Sequence, residues 1–117
     1  MILKNICFYN EIFEKEVADI RIENGRIAEI GIFNEDGEDK SGLIALPGFI
    51  DIHIHGAGGG DASDASAESL DKITKTLAKN GVTSFCPTTM TLPEDRLTEI
   101  VSVIADYKLS LIHISEP

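Results

Sequence analysis

The sequence predicts an α/β chain: an antiparallel β-rich opening followed by parallel strand–helix units. Three observations carry this. Two alternating stretches flank Asn24-Gly25, a strong hairpin signal. Residues 50–55 read Ile-Asp-Ile-His-Ile-His, a period-two strand closed at once by glycines. Two segments with helical apolar spacing then alternate with a further strand, the pattern of parallel βα units.

Taken in order, residues 2–9 form an apolar strand with a polar break at Lys4 and Asn5. Residues 17–22 and 26–32 are the two arms of the hairpin. Residues 34–42 are acidic and contain glycine, which predicts a loop. Residues 43–46 predict a short strand leading into Pro47-Gly48. Ser66 is placed to cap a helix, with Glu68 at its positive end. Leu70, Ile73 and Leu77 form that helix's buried stripe, and Asn80-Gly81 ends it. Val82 to Thr89 is the next strand, with Pro87 near its end, where a missing donor costs least. Pro93 opens a second helix, whose inner face is predicted to be Leu97, Ile100, Val101 and Ile104.

The strand at residues 50–55 carries the chemistry. Ile50, Ile52 and Ile54 face one way; Asp51, His53 and His55 face the other. The two imidazoles lie about 7 Å apart along the strand, close enough to converge on one metal ion. The pair alone also fits the solvent face of an ordinary amphipathic strand. The Pro-Gly entry, the β-branched face and the glycine exit favour metal. The run Gly56-Ala57-Gly58-Gly59-Gly60 lacks both G-x-G-x-x-G spacing and a P-loop lysine, and predicts a mobile loop over a site.

Composition narrows the classes. The chain has 117 residues, 43% hydrophobic, with 20 acidic and 10 basic side chains, a net charge of −10. That charge argues against nucleic acid or an anionic membrane as partner. No stretch approaches the ~20 apolar residues of a membrane span, and no secretory leader is evident. Cys7 and Cys86 have no C-x-x-C spacing and predict buried free thiols of a cytoplasmic protein.

Leu46-Pro47-Gly48-Phe49-Ile50-Asp51-Ile52-His53-Ile54-His55-Gly56 resembles the first barrel strand of the amidohydrolase superfamily. The block Gly81-Val82-Thr83-Ser84-Phe85-Cys86-Pro87-Thr88-Thr89 resembles its N-acetylglucosamine-6-phosphate deacetylase branch. The resemblance covers most of residues 1–107. It implies residues 1–46 as a partial β-sandwich domain and residues 47–108 as the first two βα units of a (β/α)₈ barrel. A complete barrel takes about 250 residues, so the resemblance also implies a piece of a longer enzyme.

The implied activity is hydrolysis of N-acetylglucosamine 6-phosphate to glucosamine 6-phosphate and acetate, with a divalent metal ion, zinc or iron, and a homodimeric parent. His53 and His55 match the family's first-strand metal pair, and keeping both favours a two-metal variant. Asp51 is read as structural, and Thr88 and Thr89 as polar packing at the top of the second strand. No catalytic residue is assigned within the 117 residues, and substrate contacts are not assignable. Another amidohydrolase, of cyclic-amidase or aminoacylase type, and a non-catalytic structural fragment stay open. Residues 109–117 fit poorly: Ser115 stands where the family's third-strand glutamate is expected. They are read as a doubtful, non-native tail, and Glu116 is not carried over as a ligand.

Overall fold

A computed structural model describes the backbone of residues 1–114 and the side chains of residues 1–108. The chain divides into two compact units, one of residues 1–47 and one beginning at Gly48.

The first unit is one four-stranded sheet. Strands β1 (Ile2–Tyr9), β2 (Lys15–Glu23), β3 (Arg26–Gly31) and β4 (Glu38–Asp39) lie in the order β3-β2-β1-β4. β1, β2 and β3 pair antiparallel, and β4 runs parallel to β1. The β2–β3 turn has positive φ at Asn24 (49°) and Gly25 (69°), as a type I′ turn requires. Ile6 and Ile20 are its buried apolar residues.

The polar break at Lys4-Asn5 is a bulge with a purpose. Pairing shifts between Leu3 and Ile6, and Asn5 takes φ 56°. The buried Asp19 carboxylate accepts from Asn5 N (3.0 Å), Phe33 N (2.9 Å) and Lys4 Nζ (2.7 Å). These bonds hold its carboxyl down at about 2.

Two expectations for this unit change. The acidic loop at 34–42 contains β4, because Glu38 and Asp39 find free ladder positions beside Leu3 and Lys4. Residues 43–46 form no strand. They make one parallel bridge, Cys7 with Ile44, through Cys7 N to Leu43 O (3.2 Å) and Ala45 N to Cys7 O (2.7 Å). Pro47, which has no N–H, follows at once.

The second unit is α/β. Its strands are β5 (Phe49–Ile54), β6 (Gly56–Ala57), β7 (Gly60–Asp61) and β8 (Val82–Pro87); its helices are α1 (Ala67–Lys79) and α2 (Glu94–Ile114), with a 3₁₀ turn at Ala62–Asp64. β5 and β8 pair in parallel. Ser66 caps α1 by accepting from Ser69 N, and Gly81 beyond its end has φ 78°. Leu70, Ile73 and Leu77 are buried, and Ile54, Val82, Phe85, Val103, Ile104 and Tyr107 pack on them. Tyr107 ties the helices together: its hydroxyl donates to Asp71 Oδ1 (2.7 Å) and lies 3.0 Å from Thr74 Oγ1.

Here too the structure departs from expectation. Val101 is 59% exposed, whereas Ile100 is fully buried. The helix's inward stripe runs through 100, 103, 104 and 107, so Val103 takes the place assigned to Val101. Ile50 and Ile52 are 69% and 78% exposed; only Ile54 of the isoleucine face meets the helices. β8 stops at Pro87, short of Thr88 and Thr89, although Thr88 N still donates to the Ile54 carbonyl (2.8 Å).

The glycine run is not a slack loop but a tight hairpin of β6 and β7 seated on α1. Gly60 is buried, and a Cβ there would stand 2.4 Å from the Ser69 carbonyl oxygen. Close approach of backbone to backbone, as much as turning, demands glycine. The reading of residues 109–117, with Glu116, falls on side chains outside those described.

Candidate metal centre

β5 delivers its two histidines to one place. His55 is half-buried and His53 exposed, and their rings meet edge to face, centroids 5.0 Å apart at 83°. The two Nε2 atoms stand 3.3 Å from each other. Ile54, between them, packs on the Leu70–Ile73–Leu77 cluster, so the imidazoles lie away from the helices.

The tautomer of His55 follows from its neighbour. Its Nδ1 lies 2.9 Å from the carbonyl oxygen of Thr88. A carbonyl can only accept, so Nδ1 carries the proton and donates, and the Nε2 lone pair faces His53. Two arrangements suit that pair. His53 Nε2–H could donate to His55 Nε2, but 3.3 Å is long for such a bond. Alternatively both lone pairs converge on a cation. Two nitrogens, each about 2.0–2.1 Å from one tetrahedral ion, lie about 3.3–3.4 Å apart. The observed separation is that of the chord, so the spacing of the two nitrogens suits a shared ion.

The backbone around His55 is framed on both sides. Ala62 N donates to the His55 carbonyl (2.7 Å), and Thr88 N donates to the Ile54 carbonyl (2.8 Å). Asp51 Oδ1 accepts from His53 N (3.1 Å). Thr88 Oγ1 donates to the Cys86 carbonyl (3.2 Å), a local polar role. The more informative atom of Thr88, its carbonyl oxygen, has no signature in side-chain chemistry. Asp61 and Asp64 cap their own turn, and the Ser69 hydroxyl (2.6 Å) holds the Asp64 carboxyl below its usual range.

β8 and the two helices border a cavity of about 870 Å³, lined by Thr83, Phe85, Cys86, Thr88, Thr89 and Ile104 among others. Neither histidine is among its lining residues. Cys86 is exposed and Cys7 half-buried; both are free thiols, and neither is buried as expected. Among the described strands β8 pairs on one side alone, with β5, which leaves Cys86 open. Among the described residues, no group of three or more His, Cys, Asp or Glu is placed to hold a metal ion. The site therefore offers two ligands.

The family profile of the amidohydrolases matches residues 44–111, which include the whole of β5, α1 and β8. The chain belongs to the amidohydrolase family. This amidohydrolase chain is 41% identical over 95 residues to an N-acetylglucosamine-6-phosphate deacetylase of Lysinibacillus sphaericus, covering 78% of this chain and 24% of that protein. It is 32% identical over 101 residues to a dihydroorotase of Listeria welshimeri, covering 81% of this chain and 23% of that protein. The crystal structure of N-acetylglucosamine-6-phosphate deacetylase from Thermotoga maritima superposes with a TM-score of 0.75 at 27% identity, covering 94% of this chain and 28% of that one. The amidohydrolase chain thus spans about a quarter of the length of the relatives it matches.

Proposed function

We propose that these residues belong to a metal-dependent amide hydrolase that removes the acetyl group of N-acetylglucosamine 6-phosphate, yielding glucosamine 6-phosphate and acetate. The observation that carries this is the 3.3 Å convergence of the His53 and His55 Nε2 atoms. It occurs in a chain 41% identical to a deacetylase with that substrate in its name.

In this reading His53 and His55 are two ligands of a divalent ion, zinc or iron. Such an ion, when bound, polarises the amide carbonyl and acidifies water. The chain's own residues prepare the ligands. β5 sets the two rings side by side, the Thr88 carbonyl holds the His55 Nδ1 proton, and Asp51 fixes the His53 amide. Two histidines fall short of the three protein ligands of a catalytic zinc site. The remaining ligand and the acid–base group are therefore assigned to a longer protein. In that protein, residues 47–108 are the first two βα units of a (β/α)₈ barrel, and residues 1–46 are part of a β-sandwich beside it. The whole is read as a cytoplasmic homodimer acting on a small amino-sugar phosphate, with no nucleic-acid or membrane partner. The net charge of −10 supports the last point; among the described residues, no helix is long and apolar enough to cross a membrane.

The likeness to dihydroorotase favours one second reading, a cyclic amidase. The deciding experiment presents metal-loaded full-length protein with N-acetylglucosamine 6-phosphate and, separately, with dihydroorotate. Acetate release from the first supports deacetylation. Ring opening of dihydroorotate alone replaces it with the second reading.

A further inference from the structure

A chain of hydrogen bonds outside the histidine pair leads to it. Arg96, in the first turn of α2, reaches across to the 3₁₀ turn, where its Nη2 donates to the carbonyls of Ser63 and Asp64, each at 3.2 Å. Its Nη1 is engaged by Glu99. Within that turn, Ser63 Oγ accepts from the backbone N–H of Met90 (3.2 Å). Met90 lies two residues beyond Thr88, whose carbonyl takes the His55 Nδ1 proton (2.9 Å). The turn itself is fastened to the same histidine, because Ala62 N donates to the His55 carbonyl.

From this geometry we propose that Ser63 and Arg96 are positioning residues for His55, fixing its tautomer and ring orientation through the segment 88–90. The segment needs an outside tether. β8 ends at Pro87, and the ladder does not extend through Thr88 to Met90. Thr88 N is bonded back to Ile54, and the next backbone amide bond along this segment is that of Met90 N to Ser63 Oγ. Ser63 holds it, and Arg96 holds Ser63. Glu99 takes Nη1, which leaves Nη2 to donate to both carbonyls; lysine lacks the planar guanidinium that keeps one nitrogen on Glu99 and the other on the turn. Partners that orient a metal-binding histidine typically alter metal affinity by 10–100-fold when removed. Ser63 stands one step further out, so the lower end of that range applies.

The inference rests on the metal reading of His53 and His55, but its test separates the two. The experiment uses full-length protein labelled with ¹⁵N at histidine and reads the tautomer from the ring nitrogens. Metal-free wild-type protein should show His55 as the Nδ1–H tautomer. Ser63→Ala should show mixed tautomers for His55 and weaken zinc binding by about tenfold, while Ser63→Thr restores both. Arg96→Lys should move both quantities the same way and serves if Ser63→Ala does not fold. Thr98→Ala, which removes a hydroxyl bonded only within α2, should move neither. A His55 spectrum unchanged in both Ser63→Ala and Arg96→Lys overturns the positioning role, whatever the zinc affinity. If His53→Ala with His55→Ala leaves zinc affinity untouched, the metal reading fails. The tautomer result then still decides the positioning role.

Discussion

Lys4 and Asp19 form an ion pair with Nζ 2.7 Å from Oδ2, at the bulge in the β1–β2 pairing. The same carboxylate caps the amides of Asn5 and Phe33. Its folded value of about 2 lies below the ordinary 3.8. A depressed acid stabilises the fold above its unfolded value and loses that contribution as pH falls through the folded one. Amide protection of Asn5 and Phe33 should therefore be full above about pH 4 and decline toward about pH 2. Asp19→Asn should be less protected at neutral pH, and its deficit should vanish at the acid end. A deficit that persists unchanged at about pH 2 would assign the effect to shape instead of charge.

Gly60 and Gly59 sit one residue apart and should respond differently to alanine. At Gly60 the added Cβ meets the Ser69 carbonyl at 2.4 Å, backbone against backbone. At Gly59 it meets open space and is penalised only by φ 81°. Overpacking of the first kind costs about 1–3 kcal/mol; the left-handed backbone costs about 1–2 kcal/mol. Denaturant unfolding should rank Gly60→Ala below Gly59→Ala, with the β6–β7 hairpin losing hydrogen-exchange protection only in the former.

Ile73 is 1% exposed at the centre of the helix cluster. Ile73→Ala should destabilise the second unit by about 2–5 kcal/mol. Tyr107→Phe keeps the ring but removes its donor to Asp71; a hydrogen bond to a charged group is worth about 1.5–3 kcal/mol. Chemical denaturation followed at both variants checks these values. Coupling between Tyr107→Phe and Asp71→Asn should account for most of the second.

Expressed alone, residues 1–117 should release no acetate from N-acetylglucosamine 6-phosphate and should self-associate. Ile27, Ile50 and Ile52 are each more than 60% exposed, and the outer edge of β8 is unpaired among the described strands. Light scattering and an acetate assay on that polypeptide test both points. A monodisperse, active monomer would contradict them.

Local features of this fold could be read from the sequence. The Asn24-Gly25 turn, the Ser66 cap and the Leu70–Ile73–Leu77 stripe each depend on residues within a few positions of one another. The facing of His53 and His55 also follows from strand period alone. What could not be read depends on distant partners. The Thr88 carbonyl reaches His55 across 33 residues, as Arg96 does Ser63. Lys4, which reads as a polar interruption, is half of a pair completed 15 residues later. The glycine run reads as a mobile loop, and not as the hairpin it forms, for the same reason: nothing within it announces that Ser69 presses on Gly60. Exposure of Ile50 and Ile52 depends on what packs against β5 from elsewhere in the fold, a property no local pattern encodes.

The most direct test of the central claim is the zinc content of dialysed full-length protein, wild type against His53→Ala with His55→Ala, measured alongside acetate release. The account predicts that wild-type protein retains zinc and turns over N-acetylglucosamine 6-phosphate, and that the double variant loses both. Retention of zinc and undiminished turnover in the double variant would contradict the assignment of the β5 histidines to the metal site.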